Sequence, residues 1–310
     1  MKAAQINKYG GSDVVEINQN APKPVVSAGK ILVKVHAAGV NPFDWKVREG
    51  YMQKMISLKF PSTLGGDFSG VVAEVGEGVS DFKTGDEVYG QSYVFGGGGT
   101  FAEFVLADPK NIAIKPKKLS RVEAGALPLA GISAYQALVD HINLSKGQKL
   151  LIHGGAGGIG SIAIQIAKHM GAYVVTTVSA DDKQFAKESG ADEMIDYKNQ
   201  KFEDLLHAYD AVFDTVGGET YKRSFKVLKK NGVIVSMLEQ PNQELMQKYG
   251  VKALAQGTKV TNEHLAKLAD LVDNGIIIVH VDKTFILDQA GEALEYLKTG
   301  HPRGKVVLTV

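Results

Sequence analysis

The sequence predicts an α/β protein of two domains, a doubly wound parallel sheet set into a β-rich module that uses both ends of the chain. Three observations carry this. The stretch Lys149-Leu-Leu-Ile-His-Gly-Gly-Ala-Gly-Gly-Ile-Gly160 is a short apolar run stopped by glycines, and Ile159, Ile162, Ala163, Ile166, Ala167 and Met170 follow at helical spacing. Strand and helix signals then alternate as far as residue 255. On both sides of that region short strands are separated by turn residues.

The 310 residues have room for two domains, and 44% hydrophobic with 22% charged residues is ordinary for a globular chain. Lys and Arg number 35 against 34 Asp and Glu, which leaves no electrostatic footprint for nucleic acid or an anionic membrane. No apolar run is long enough to span a bilayer and the N-terminus has no signal-peptide core, so a cytoplasmic location is expected. Cysteine is absent, which excludes disulfides, thiol catalysis and zinc sites built on thiolates. The eight histidines are scattered and none pair at metal-ligand spacing, so no metal is expected.

Residues 1–121 read as β-rich. Ile31-Leu-Val-Lys-Val-His-Ala37 alternates apolar and polar residues like a half-buried strand. Short strands are expected at 71–75, 87–89, 101–105 and 111–114. Residues 41–50 read as a short helix, with Pro42 in its first turn and Gly50 at its end. The texture changes at Val122. Residues 123–139 read as helical, broken by Pro128 and Gly131. Strands follow at 150–152, 173–178, 194–196, 211–214, 232–236 and 251–255, the six of a doubly wound sheet. The tail reads as a helix over 263–274, a strand over 276–279, a helix over 288–298 and a last strand over 305–310. Its economical placement is antiparallel closure onto the N-terminal module. The expected domains are 1–121 with 263–310, and 122–262.

Gly155, Ala156, Gly157, Gly158, Ile159 and Gly160 fit the G-x-G-x-x-G fingerprint in its strand-turn-helix setting. The first glycine permits a tight turn, the second lets backbone approach a pyrophosphate, and the third lets helix pack close to strand. The helix N-terminus presents N–H groups and partial positive charge to phosphate. This is a Rossmann-type dinucleotide site.

These motifs resemble the medium-chain dehydrogenase/reductase superfamily, and the resemblance runs from end to end. It is nearest to the zinc-independent quinone oxidoreductases (zeta-crystallin-like) and the alkenal/enone reductases. Its carriers are Ala38-Gly-Val-Asn-Pro-Phe-Asp-Trp-Lys46, Pro61-Ser-Thr-Leu-Gly-Gly-Asp-Phe-Ser-Gly-Val-Val72, Phe82-Lys-Thr-Gly-Asp-Glu-Val-Tyr-Gly90, Ala130-Gly-Ile-Ser-Ala-Tyr-Gln-Ala-Leu138 and His301-Pro-Arg-Gly-Lys-Val-Val-Leu308. The resemblance implies a GroES-like substrate domain beside the Rossmann domain. The zinc alcohol dehydrogenases of the superfamily carry a cysteine ligand where this chain has Asn41, and a histidine ligand where it has Gly66. Without a Lewis acid to polarise an alcohol oxygen, a zinc-free alcohol dehydrogenase is the weakest of the readings.

NAD-selective Rossmann proteins place a carboxylate at the end of the second strand; counting along this chain places Ser179 there. A serine can donate to the 2′-phosphate of NADPH. Lys183 matches a phosphate-binding lysine of the quinone reductases, and Tyr197 their adenosine-side tyrosine. Asp181 and Asp182 are the complication, since either could turn inward. NADPH is the expected cofactor.

The resemblance implies a cleft between the domains, floored by Asn41, Ser133 and nearby backbone. Asn41 can hold a substrate carbonyl oxygen or the cofactor, or simply cap a helix. Tyr51 and Trp45 offer apolar walls or core packing. Ser133 can bond the nicotinamide carboxamide. Asp214-Thr-Val216 and Ser236 follow the fourth and fifth strands at the carboxyl edge, as cofactor contacts or as turns. No proton donor stands out among Asp44, Lys46, Tyr51 and Tyr93, and water can supply the proton. His153 reads as a core histidine, and 93–99 as a rim over the cleft or a loose hairpin. The expected function is NADPH-dependent reduction of quinones or activated alkenes. The alternative is an NADPH-binding redox-responsive or crystallin-like protein with little turnover. A homodimer through the edge strand at 251–255 is expected.

Overall fold

The computed structural model describes residues 1–55, 57–92 and 98–310. Tyr93, and with it most of the 93–99 segment, lies outside the described residues. The chain divides into two compact units, one of residues 1–129, 260–275 and 279–310, the other of residues 130–259 and 276–278.

The first unit opens with β1 (Ala3–Ile6) and β2 (Val15–Asn18), which pair antiparallel. There follow β3 (Ile31–Val40), α1 (Pro42–Arg48), β4 (Ser62–Thr63), β5 (Asp67–Val75), β6 (Glu87–Gln91), β7 (Phe104–Ala107), β8 (Ile112–Ile114) and α2 (Arg121–Ala126). α2 packs on β3 and β5. Its capping box joins Ser120 to Glu123, and Pro128 keeps it from running on into the next helix.

The second unit starts in α3 (Pro128–Tyr135), which continues as a π-helical turn over Gln136–His141. It then alternates β9 (Lys149–His153), α4 (Gly158–His169), β10 (Tyr173–Val178), α5 (Lys183–Glu188), β11 (Glu193–Asp196), α6 (Phe202–Leu205), β12 (Tyr209–Asp214), α7 (Gly218–Ser224), β13 (Leu228–Ser236), α8 (Gln243–Tyr249) and β14 (Lys252–Ala255). The strands form one parallel sheet in the order β11-β10-β9-β12-β13-β14, the doubly wound arrangement expected from the alternation. Leu150, Leu151, Ile152, Val212 and Phe213 are fully buried because both faces of such a sheet are covered.

The chain returns to the first unit with α9 (Asn262–Asp273), β15 (Val281–Ile286), α10 (Ala290–Thr299) and β16 (Lys305–Thr309). β16 pairs antiparallel with β3, as the tail was expected to do, and completes a sheet ordered β15-β16-β3-β5-β6-β8, with β7 also on β3. Phe68, Phe101, Val306 and Leu308 lie in its core. Each such fully buried apolar side chain contributes about 1.5–3 kcal/mol.

One expected strand is absent. Residues 276–279 are irregular, and the strand lies instead at 281–286. The backbone of Ile278 has found a side-chain partner: its N–H donates to Gln165 Oε1 at 2.8 Å and its carbonyl accepts from Gln165 Nε2 at 3.1 Å. No helix among the described residues is long and apolar enough to cross a membrane.

Candidate functional site

The register of the parallel sheet lines up the ends of all six strands. Asp196 pairs with Val178, Thr177 with His153, His153 with Asp214, Asp214 with Ser236, and Ser236 with Ala255. Ligands of open α/β sheets bind beyond this carboxyl edge, where the strand order reverses between β9 and its two neighbours.

The glycine loop sits at that reversal. A side-chain carbon on Gly155 would lie 2.9 Å from Thr176 Cβ, and one on Gly160 would lie 2.8 Å from Gly155 Cα, so both positions are closed to any larger residue. Gly157 is the N-cap of α4, and a carbon there meets only the Gly154 carbonyl oxygen, at 3.4 Å. Tight glycines thus hold the loop while its outer face stays open over the first N–H groups of a twelve-residue helix. Ala156, Gly158 and Ile159 lie along this face and are partly exposed. The arrangement fits a pyrophosphate.

On the β10–β11 side, Ser179 directly follows β10 and is the N-cap of the turn over Ala180–Asp182. Its Oγ donates to Asp182 Oδ2 at 2.6 Å. Lys183 begins the helix that follows, and its charge, after the Asn199 amide and the Lys198 N–H, helps hold the Asp196 carboxyl below the usual carboxylate range. Tyr197 N–H donates to the Val178 carbonyl at 3.1 Å, which seats its half-exposed ring beside the same strand end. Ser179, Lys183 and Tyr197 thus follow the ends of β10 and β11, and of the two aspartates in the turn it is Asp182 whose carboxylate bonds the serine.

On the β12–β14 side, Asp214 is fully buried. Its carboxylate accepts from Val216 N–H at 3.0 Å, Gly217 N–H at 2.9 Å and Ser236 Oγ at 2.7 Å. Ser236 Oγ in turn accepts from the N–H groups of Leu238 and Glu239, at 3.2 and 3.1 Å. Asp214 and Ser236 shape the loops after β12 and β13, and Val216 is the residue of this group that is exposed. Ser133, on α3, is buried; its Oγ lies 2.7 Å from Thr258 Oγ1, and its carbonyl accepts from Gln256 Nε2 at 2.8 Å.

His153 is a satisfied core histidine. Ser224 Oγ donates to the Thr220 carbonyl at 2.6 Å, so it accepts from His153 Nε2–H at 2.9 Å, leaving Nδ1 to accept from Thr177 Oγ1 at 3.0 Å. Burial, and then the Arg223 charge, push its pKa down to about 3, so the ring is neutral.

The first unit holds a buried polar cluster. Strand register creates it: Val306 pairs with Val40, which carries Lys305 beside Asn41, and Asp67 pairs with Gln91. Asn41 caps α1 with its backbone, its carbonyl accepting from Asp44 N–H at 2.9 Å and its N–H donating to Asp44 Oδ2 at 2.7 Å. Its side chain turns elsewhere. Nδ2 donates to Asp67 Oδ2 at 2.9 Å, and Oδ1 accepts from Lys305 Nζ. Lys305 also donates to the Val40 carbonyl at 3.0 Å, while Asp67 accepts from Gln91 Nε2 and Leu129 N–H. Burial raises Asp44 to about 7 and Asp67 to about 6, and pushes Lys305 down. Tyr51 is exposed and packs edge-on against Trp45, with ring centroids 5.9 Å apart.

Asp67 and Lys305 were not singled out in the sequence. The cluster stands where the zinc enzymes of the superfamily carry metal, and it does not fit a zinc ion. It offers the carboxylates of Asp44 and Asp67 and the amides of Asn41 and Gln91 but no thiolate or imidazole, and the Asn41 oxygen already accepts from the Lys305 ammonium, whose charge opposes a second cation. Among the described residues no group of three or more His, Cys, Asp or Glu is placed to hold a metal.

Comparison with known proteins agrees with this geometry. Residues 27–117 match the alcohol dehydrogenase GroES-like domain family, and residues 189–308 match a family described as zinc-binding dehydrogenase. The chain is 37% identical over 318 residues to a 2-methylene-furan-3-one reductase of Solanum lycopersicum, covering 99% of this chain and 79% of the relative. It is 34% identical over 317 residues to a chloroplastic NADPH-dependent alkenal/one oxidoreductase of Arabidopsis thaliana, at 99% and 79% coverage. The structure of a quinone oxidoreductase from Coxiella burnetii superposes with a TM-score of 0.93 at 36% identity, covering 100% of this chain and 99% of the other. The chain belongs to the medium-chain dehydrogenase/reductase superfamily, in the zinc-independent branch of the quinone oxidoreductases and alkenal/one reductases.

Proposed function

We propose that this protein is an NADPH-dependent reductase of quinones or of activated C=C bonds such as those of enones and enals. The observation that carries the reading is the end of β10, where a serine replaces the carboxylate of NAD-selective proteins and Lys183 and Tyr197 stand beside it. A related alkenal/one oxidoreductase is NADPH-dependent by name, which supports the same choice.

The 155–160 loop would hold the pyrophosphate and Ser179, Lys183 and Tyr197 the 2′-phosphate and adenosine. The loops shaped by Asp214 and Ser236, with Val216 exposed upon them, would carry the nicotinamide half together with Ser133. When bound, the cofactor supplies a hydride, and with one proton from water the acceptor gains two electrons and two hydrogens. Such acceptors are already electrophilic and need no metal. In the first unit Tyr51 offers an exposed aromatic face to a planar acceptor, and Asn41, bonded at both ends of its amide, would keep Asp67 and Lys305 in place.

A homodimer is part of this reading. β14 is hydrogen-bonded only to β13 among the described residues, and Leu254 on it is exposed, so this edge can pair with a second copy. Light scattering tests it.

The function is tested by NADPH- and NADH-driven turnover of a panel of quinones, enones and enals by the wild type and Lys183→Ala. Loss of one charge-assisted phosphate contact, worth about 1.5–3 kcal/mol, should weaken NADPH by roughly tenfold or more and leave NADH unchanged. Equal losses for both cofactors would remove the phosphate role.

A further inference from the structure

The row of strand ends finishes at Gln256, which neither the glycine motif nor the spacing of the chain singles out. Gln256 follows β14, and its backbone N–H donates to the Ser236 carbonyl at 2.8 Å, which fixes it on the carboxyl edge. The side chain is 5% exposed. Its Nε2 donates to the Ser133 carbonyl at 2.8 Å. A carbonyl oxygen only accepts, so the amide can sit only one way round, and Oε1 is turned away from Ser133.

That oxygen is buried and has no hydrogen-bond partner among the described residues. In the second unit it is the one buried side-chain atom so placed among those residues. The polar groups around it are committed. Asp214 and Ser236 bond each other and their own loops, and Ser133 Oγ bonds Thr258. A buried acceptor without a donor is unfavourable, and the described residues offer it none.

A bound dinucleotide offers one. On the reading above its adenosine half would lie toward β10 and β11, so its nicotinamide half would run the other way, over β12 and β13. Gln256 stands three strands from the glycine loop, roughly 14 Å at the usual strand spacing. The ribose hydroxyls lie nearer the pyrophosphate. The last donor along that path is the carboxamide N–H of the nicotinamide. The chain beside it is not closed in: a side-chain carbon built on the next residue, Gly257, meets nothing within 4 Å.

We propose that Gln256 binds the nicotinamide carboxamide, with Oε1 accepting from the carboxamide N–H while Nε2 stays on Ser133. The inference rests on the NADPH reading above. It makes Ser133 a support for the contact, acting through its carbonyl, and assigns the contact itself to a residue on the far edge of the sheet.

Calorimetric titration of the full chain tests it with three ligands: NADPH, its reduced 3-acetylpyridine analogue, whose methyl ketone has no N–H, and 2′,5′-ADP, which lacks the nicotinamide half. The wild type should bind NADPH about tenfold more tightly than the acetylpyridine analogue. Gln256→Met should bring the two within about twofold while leaving 2′,5′-ADP binding intact, which also shows that the variant is folded. Gln256→Asn keeps the amide but falls one carbon short, and should collapse the preference too. An unchanged preference in both variants, or no preference in the wild type, overturns the assignment. If the wild type binds neither NADPH nor 2′,5′-ADP, the NADPH reading fails and this inference falls with it.

Discussion

Replacing Asp44 by asparagine should make the first unit more stable at neutral and alkaline pH. Asp44 is 4% exposed, and burial raises its pKa from 3.8 to about 7, against the opposing effects of the Asn41 N–H and Lys305. An acid whose folded pKa is raised binds its proton more tightly in the folded state. Its contribution is therefore most favourable below the unfolded value near 3.8 and is lost as pH rises through about 7. At about 1.36 kcal/mol per unit the full loss is about 4 kcal/mol, an upper figure because water and the nearby ammonium share the charge. An asparagine at this position can still accept from Asn41 N–H and carries no charge to bury. The chain has one tryptophan, Trp45, next to Asp44 on α1, so its fluorescence reports this unit alone during urea unfolding. Between about pH 5 and pH 8 the wild-type midpoint should fall relative to Asp44→Asn, with the variant ahead by about 2–4 kcal/mol at the upper end. Midpoints that move in parallel across that range would refute the reasoning, because Asp44 would then titrate alike in both states.

Three further outcomes follow from the geometry. Lys305→Met leaves Asp67 buried beside an unpaired Asn41 oxygen and should cost about 3–5 kcal/mol by the same fluorescence; a loss under about 1 kcal/mol would contradict a paired cluster. Gly160→Ala forces a carbon into the space beside Gly155 Cα, and should abolish the thermal stabilisation by NADPH that the wild type shows. Asp182→Asn removes the carboxylate bonded to Ser179 and should raise the preference for NADPH over NADH by roughly fivefold, about 1 kcal/mol of screened repulsion, read by fluorescence titration.

The cofactor half of the site was legible because its signals are local. A strand, a glycine loop and a helix follow one another within residues 149–169, and Tyr173–Val178 was bounded correctly by its run of β-branched and aromatic residues. β15 was missed because Val281-Asp-Lys-Thr-Phe-Ile places charges on a sheet edge, where strands tolerate them, while the apolar run at 276–279 imitates a strand without pairing as one. The polar cluster was invisible for another reason. Lys305 and Asn41 are 264 positions apart, and a lysine opening an apolar strand reads as a solvated end until register places it inside. Asn41 was recognised as a residue of interest, but its partners come from β5 and β16. Gln256 has no sequence signal at all, since only the fold shows that its oxygen lacks a donor.

The central claim is that hydride passes from NADPH to an electrophilic carbon or quinone. Its most direct test supplies NADPH carrying deuterium at the transferable C4 position, together with an enone or a benzoquinone, and identifies the product by mass and NMR. The account predicts stoichiometric loss of NADPH, with deuterium on the β-carbon of a saturated ketone or with formation of the hydroquinone. NADPH that binds and is consumed with neither acceptor would contradict it.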